Sequence, residues 1–277
     1  MNILITGTNG FVGRELVEFF STTEHTILST CRKTLDVANE KQVDDFFQEN
    51  KIDVVVHAAI KGGGRGLEDT FSDFCQNLIM FKNLSKHADK FKMMINFGSG
   101  AEFDRRYDIS GSKENKLYDS YPLDYYGYSK NIIAREIHKI GNIVNMRLFG
   151  CFGISENPER FIRSAFLNIR DNKPIIVHQE KKMDFFYIED LFKVITFYIN
   201  NYSQELPKDI NMTYLEKHTL SEIAARIKSL TGAPNDVMIK NNTPSMSYTG
   251  SGQKLADLHL PLLGLEKGIR KVYEHYR

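Results

Sequence analysis

Short apolar runs alternate with amphipathic stretches along the first 150 residues. Residues 2–6 (NILIT) are an apolar run ending before glycine, and residues 14–22 (RELVEFFST) place Leu16, Val17, Phe19 and Phe20 on one helical face. Residues 25–31 (HTILSTC) predict a second strand and 40–50 (EKQVDDFFQEN) a second helix. Residues 52–59 (IDVVVHAA) are continuously apolar, the pattern of a strand buried on both faces. The alternation continues with a helix at 76–90, a strand at 92–99, a helix at 128–140 and a strand at 142–150. Strands alternating with helices predict crossover connections, hence an α/β fold with a Rossmann-type doubly wound parallel sheet.

After Gly150 the pattern loosens. It predicts a helix at 157–172, a strand at 173–178, a strand then a helix over 184–200, and amphipathic helices at 220–232 and 265–276. Residues 241–253 (NNTPSMSYTGSGQ) are polar and aperiodic and predict a loop. The expected organisation is a dinucleotide-binding domain over 1–151, with 184–213 returning to it. A smaller C-terminal substrate-binding lobe takes 152–183 and 214–277.

Composition narrows the function classes. The formal net charge of +1 argues against nucleic acid as a partner, and no run of eighteen apolar residues suggests a membrane span. The chain opens directly on MNILITG with no leader pattern, and its three cysteines (Cys31, Cys75, Cys151) form no CxxC pair. A cytoplasmic protein with reduced thiols and no metal site is expected.

Gly7, Gly10 and Gly13 stand between the first strand and the first helix. The G-x-x-G-x-x-G spacing is one residue longer than the G-x-G-x-x-G dinucleotide fingerprint, but it meets the same needs: a tight turn, backbone approach to a pyrophosphate, and close helix packing. The amides of Phe11, Val12 and Gly13 then open the helix toward the phosphates. A turn with glycines for conformation alone is the plainer alternative. No acid follows the second strand directly; Arg32 or Lys33 stands there, with Arg14 after the glycines. A 2′-phosphate is thereby favoured over bare ribose hydroxyls, so NADP(H) is expected ahead of NAD(H).

Residues 118–130 (YDSYPLDYYGYSK) hold five tyrosines and a lysine. Of these, Tyr126 stands four residues before Lys130, so the two share a helix face. An ammonium beside a phenol lowers its pKa toward a useful acid or base. Ser99 lies at the end of the strand at 92–99, where functional groups of such sheets gather.

With these residues the chain resembles extended short-chain dehydrogenase/reductases of the NAD-dependent epimerase/dehydratase family. The resemblance runs over TGTNGFVG, HAA (residues 57–59), Asn77, Ser99, YGYSK, RLFGCFG and DFFYIEDL. Within the family it is nearest in pattern to nucleotide-sugar 4-ketoreductases of the GDP-L-fucose synthase and dTDP-4-dehydrorhamnose reductase type. The resemblance implies Ser99, Tyr126 and Lys130 as the catalytic set. Ala58, Ala59 and Lys130 join Gly7, Gly10, Phe11, Val12, Gly13 and Arg32 at the cofactor. It also implies NADPH-dependent reduction of a 4-keto-6-deoxy nucleotide sugar for surface polysaccharide synthesis, and a homodimer.

Departures from the family pattern restrict the chemistry. Family dehydratases carry an Asp-Glu pair after the active hydroxyl residue; here those positions are Gly100 and Ala101. The epimerising cysteine of GDP-L-fucose synthase is replaced by Ala101, and its histidine position falls on Arg160. Gly150 replaces a family asparagine, and Met183 an arginine. Substrate contacts are therefore expected from Gly100, Arg160, Lys182 and Tyr248, with Lys181 and Ser251 nearby in sequence. Two alternatives stand beside the reductase: an NAD-dependent nucleotide-sugar C4 epimerase, and a non-catalytic dinucleotide-sensing module.

Overall fold

The computed structural model of the chain describes residues 1–64, 66 and 68–276. Strand β1 (Asn2–Thr6) leads into α1 (Phe11–Phe20), β2 (Thr26–Thr30), α2 (Glu40–Glu49), β3 (Val54–His57), α3 (Phe71–Ser85) and β4 (Met93–Ser99). Next come β5 (Ile109–Ser112), α4 (Tyr125–Ile137), β6 (Ile143–Leu148), β7 (Cys151–Phe152), α5 (Phe161–Arg170), β8 (Ile175–Val177) and β9 (Phe186–Tyr187). The chain finishes with α6 (Ile188–Asn200), β10 (Asp209–Met212), α7 (Leu220–Thr231), β11 (Val237–Ile239), β12 (Tyr248–Gly250), α8 (Gln253–Ala256) and α9 (Gly264–Tyr276).

Six strands form the central sheet in the order β10-β6-β4-β3-β1-β2. β1 pairs in parallel with both β2 and β3, and β3 with β4. The order therefore reverses between β1 and β3, the switch point at which doubly wound sheets open a crevice beyond their strand ends. On one face Leu4, Val55, Met94 and Ile143 pack with Val43, Phe47, Met80, Phe81, Leu84, Ile133 and Ile137 of α2, α3 and α4. Ile3, Ile5, Val54 and Val56 alternate with them and are equally buried. Burial on both faces explains why these strands read as unbroken apolar runs.

Two helices start earlier than their apolar periodicity predicts, because polar caps set the first turn. The Thr70 hydroxyl accepts from Asp73 N while the Asp73 carboxylate accepts from Thr70 N, which starts α3 at Phe71. The Asp124 carboxylate accepts from Gly127 N at 2.7 Å, which starts α4 at Tyr125 and makes all of YYGYSK helical.

The chain divides into two units. The first comprises Met1–Arg106, Glu114–Arg147 and Val194–Ile210; the second comprises Tyr107–Lys113, Leu148–Lys193 and Asn211–Arg277. These bounds depart from the sequence expectation at 107–113, 148–151, 184–193 and 211–213, which join the second unit. Strand pairing is the reason for the first three of these: β5 pairs with β12, and β7 with β9. The polar segment 241–253 is accordingly not all loop, since it contains β12. In the second unit β8 pairs with β11, and α9 buries Ile269 and Val272. Gly268 lets α9 approach closely: a Cβ there would stand 2.6 Å from the Tyr187 ring. Among the described residues no helix is long and apolar enough to cross a membrane.

Candidate active site

β4 ends at Ser99 and a turn of 3-10 helix follows over Gly100–Glu102. Ser99 caps that turn. Its hydroxyl accepts from Ala101 N at 3.2 Å, and its own amide donates to Glu102 Oε1 at 2.9 Å. α4 rests on the turn at Gly127, where a Cβ would lie 2.5 Å from the Ala101 carbonyl oxygen. That approach brings the Tyr126 phenol to the neighbourhood of Ser99, whose hydroxyl lowers the phenol's pKa. One helical turn on, Lys130 is buried and its ammonium donates to the Phe97 carbonyl at 2.7 Å. The three side chains singled out in the sequence thus gather at the C-terminal end of β4, with Gly100 buried in the adjoining turn.

The glycine-rich stretch after β3 closes on the same place. Gly63 has φ of +71°, and a Cβ there would stand 2.7 Å from Cε2 of Tyr126. Asp69 accepts from Gly63 N at 2.7 Å. Asn77 anchors the start of the stretch: it accepts from Lys61 N at 2.9 Å and donates to Lys61 O at 3.0 Å and to Ser129 Oγ at 3.1 Å. Arg65 of this stretch lies outside the described residues.

Burial pushes the Tyr126 phenol above its ordinary range. The Ser99 hydrogen bond pulls it down, Glu102 and Asp69 push it up, and Arg105 pulls it down. The sequence reading has Lys130 lowering this phenol. Here the ammonium is engaged by the Phe97 carbonyl instead, and burial governs the phenol. Burial also brings Lys130 down to about 8, against an opposing pull from Glu102. His57 is held near 3 by burial and then by Lys130, so it is neutral at physiological pH; its Nδ1 lies 2.9 Å from Thr6 Oγ1.

The glycine turn sits at the switch point of the sheet. Gly7 has φ of +72°, and a Cβ there would fall 2.5 Å from Ala59 N and 2.6 Å from Ala58 C. A Cβ on Gly13 would fall 2.4 Å from Gly7 O. Chain packing alone therefore requires these two glycines. Gly10 is different: it is exposed, and a Cβ there would meet only Gly7 O, at 3.3 Å. It is also the N-cap of α1, with no side chain bonded to the free amides that follow. An open glycine beside uncapped helix amides fits a dinucleotide pyrophosphate. Arg32 is two residues beyond β2 and exposed, with its Nε 3.5 Å from Asp36.

The expected substrate contacts other than Gly100 belong to the second unit. Arg160 is the N-cap of α5 and pairs with Glu156 at 3.3 Å. Lys182 is exposed, and its carbonyl accepts from Tyr248 N at 2.8 Å. Tyr248 lies in β12 with its ring 5.2 Å from that of Phe149. Lys182 and Tyr248 are thus neighbours, and Ser251 follows, its amide bonded to Ser112 O at 2.8 Å. Gly150 packs on the Asp184 carbonyl, which a Cβ would approach to 2.7 Å.

Sequence reasoning missed Glu102, whose carboxylate carries the Ser99 amide. The signal was present as Ser-x-x-Glu, the reciprocal capping spacing, one residue beyond the two positions compared with the dehydratase pair. Asn77 and Ser129 carry part of the family resemblance, but the hydrogen bond between them joins segments distant in sequence and was not legible there.

Residues 3–213 match the sequence model of the NAD dependent epimerase/dehydratase family. GDP-L-colitose synthase of Yersinia pseudotuberculosis is 23% identical over 306 residues, spanning 100% of this chain and 98% of the relative. GDP-L-fucose synthase of Azorhizobium caulinodans is 24% identical over 303 residues, spanning 99% and 96%. Among solved structures, the GDP-mannoheptose C4 reductase of Campylobacter jejuni with NADP bound superposes with a TM-score of 0.84 at 20% identity, covering 99% of this chain and 98% of that one.

Proposed function

The chain belongs to the NAD dependent epimerase/dehydratase family, and from that premise we propose that it reduces the C4 keto group of a nucleotide-activated 4-keto-6-deoxy sugar with NADPH. The observation that carries this reading is the meeting of Ser99, Tyr126 and Lys130 beyond β4, in a unit whose glycine turn lies at the sheet's switch point. The similarity to GDP-sugar synthases and to a C4 reductase supports the substrate class.

In this reading Gly7, Gly10, Phe11, Val12 and Gly13 cradle the cofactor pyrophosphate, with Ala58 and Ala59 beside them and Arg32 at the adenosine end. When bound, the cofactor supplies hydride. The hydroxyls of Ser99 and Tyr126 hold the C4 carbonyl oxygen, and Tyr126 gives that oxygen its proton as negative charge develops there. A phenol whose pKa burial has raised stays protonated at neutral pH, as an acid catalyst for reduction must. Lys130 contributes a fixed positive charge behind the acid. Gly100 and Ala101 offer no group for proton transfer at a neighbouring carbon, which separates this site from elimination or epimerisation there. For the nucleotide the reading relies on Arg160 and Lys182, whose cations suit charge-assisted bonds to phosphate, with Tyr248 as a neutral polar contact. The setting is cytoplasmic synthesis of a surface polysaccharide precursor.

A second copy of the chain is the proposed partner. Phe71, Ile79, Tyr121, Leu123 and Tyr125 are exposed in and beside α3 and α4, an apolar patch of the kind that marks an interface. A monomeric mass by sedimentation equilibrium would remove this part of the proposal.

The test is incubation with NADPH and a panel of 4-keto-6-deoxy nucleotide sugars, following cofactor oxidation and identifying products by NMR. Tyr126→Phe is expected to lower turnover by about 10²- to 10⁴-fold. Turnover of a 4-hydroxy nucleotide sugar without added cofactor would replace the reductase with an epimerase. An unchanged phenotype in cells carrying the Phe variant would favour a non-catalytic dinucleotide sensor.

A further inference from the structure

Beneath the candidate site lies a closed cluster of charge. Arg147 Nε donates to Glu102 Oε2 at 2.6 Å, and the same guanidinium meets Asp209 at 2.9–3.0 Å. Asn145 Nδ2 donates to both Glu102 oxygens at 3.1 Å and to Asp209 Oδ1 at 3.2 Å. Asn96 Nδ2 in turn donates to Asn145 Oδ1 at 2.9 Å. The side chains of Glu102, Arg147 and Asp209 are at most 2% exposed. Gly98 makes room for the cluster: a Cβ there would lie 2.2 Å from Glu102 Oε1 and 2.6 Å from Asn145 Oδ1.

The charges do not balance within this set. With both carboxylates ionised, two negative charges face one guanidinium; burial pushes the Glu102 carboxyl above its ordinary range, Arg147 pulls it down and Asp209 pushes it up. An unmatched buried charge is costly, so an ionised Glu102 calls for a second cation. Lys130 supplies it. Its ammonium bonds the carbonyl of Phe97, Glu102 bonds the amide of Ser99, and Gly98 alone separates those two residues on β4. Three other titratable groups facing the cluster carry no charge there. His57 beside Lys130 is neutral, and Tyr126 is protonated. Tyr198 near Asp209 is likewise a neutral phenol, raised by burial. His138 lies 3.5 Å from Asp209 on the solvent side and is 34% exposed.

We propose that Glu102 is a positioning residue of the site, the buried counter-charge of Lys130 and the anchor of the Ser99 turn. Its charge holds Lys130 protonated although burial opposes it, and its oxygen fixes the amide of Ser99, the residue whose hydroxyl holds the substrate carbonyl oxygen. The charge balance stands on its own; its effect on turnover rests on the proposed reductase reading.

The test is direct titration of Lys130 by NMR in protein carrying ¹³C-lysine, with the resonance assigned through Lys130→Met. In the wild type the midpoint is expected at about 8 or above. In Glu102→Gln, which retains an acceptor for the Ser99 amide, it should fall by about one pH unit or more. Glu102→Asp, which keeps the charge, should restore it. If the reductase reading also holds, the rate of the Gln variant relative to wild type should be about fivefold lower near pH 8 than near pH 6. An unmoved midpoint in Glu102→Gln, or a wild-type midpoint below about 6.5, overturns the proposal. Should the Gln variant not fold, the wild-type midpoint decides: about 6.5 or above supports the proposal and a lower value overturns it. A shifted midpoint with no reductase activity would instead sink the functional reading and leave the charge pairing intact.

Discussion

Glu156 is expected to cost the protein stability at neutral pH, and the size of that cost follows from its surroundings. The side chain is 2% exposed. Oε1 takes a 3.3 Å contact from Arg160 Nε, while Oε2 has no hydrogen-bond partner among the described residues. Burial pushes the carboxyl up to about 7 from its usual 4.5, against the pull of Arg160 and Arg163. A carboxyl whose folded pKa is raised binds its proton more tightly when folded. Stability is therefore greatest below the unfolded pKa and declines as pH rises toward the folded one. Across that window the loss is about 3 kcal/mol, most of it between roughly pH 5 and pH 8. Glu156→Gln cannot titrate. Its lost contact with Arg160 is a constant offset, so the stability of the variant minus that of wild type should grow by about 2–3 kcal/mol from pH 5 to pH 8. Urea unfolding of both proteins at the two pH values measures this. A difference that stays flat within about 0.5 kcal/mol, or that is larger at pH 5, refutes the assignment of a strained, buried carboxylate.

Arg147→Met should cost about 3–5 kcal/mol in urea unfolding near pH 7.5, because it strands two buried carboxylates; a loss under about 1 kcal/mol would mean the cluster is not buried as described. Gly63→Ala places a methyl against the Tyr126 ring at a positive φ, so kcat should drop by about 10- to 100-fold while NADPH affinity is kept, and an unchanged kcat would show that the ring is free to move. Gly7→Ala drives a Cβ into the backbone of Ala58 and Ala59 at the switch point. NADPH binding, followed by nucleotide fluorescence, should weaken by at least about tenfold, and an unaltered Kd would contradict the cradle.

The sequence determined the alternation of strands and helices in the first unit, because burial on both sheet faces leaves an unbroken apolar run and a helix face leaves a 3.6-residue repeat. It also singled out the glycine turn by its place between strand and helix, Ser99 by its place at a strand end, and Tyr126 with Lys130 by their four-residue spacing, which puts both on one helix face. Local spacing could also have shown the caps at Thr70 and Asp124, which start α3 and α4 earlier than apolar periodicity does, and the Ser99 cap of the short turn after β4. Pairings between distant segments were illegible. β5 and β12 are short and polar, and they become strands only because each completes the other's hydrogen bonds across the second unit. The same holds for the charge cluster. Glu102, Arg147 and Asp209 are far apart in the sequence, and only the packing of β4, β6 and β10 removes their water and makes their signs count against one another. Electrostatic energy between side chains depends on separation and on the loss of solvent, and both are properties of the folded chain rather than of its order of residues.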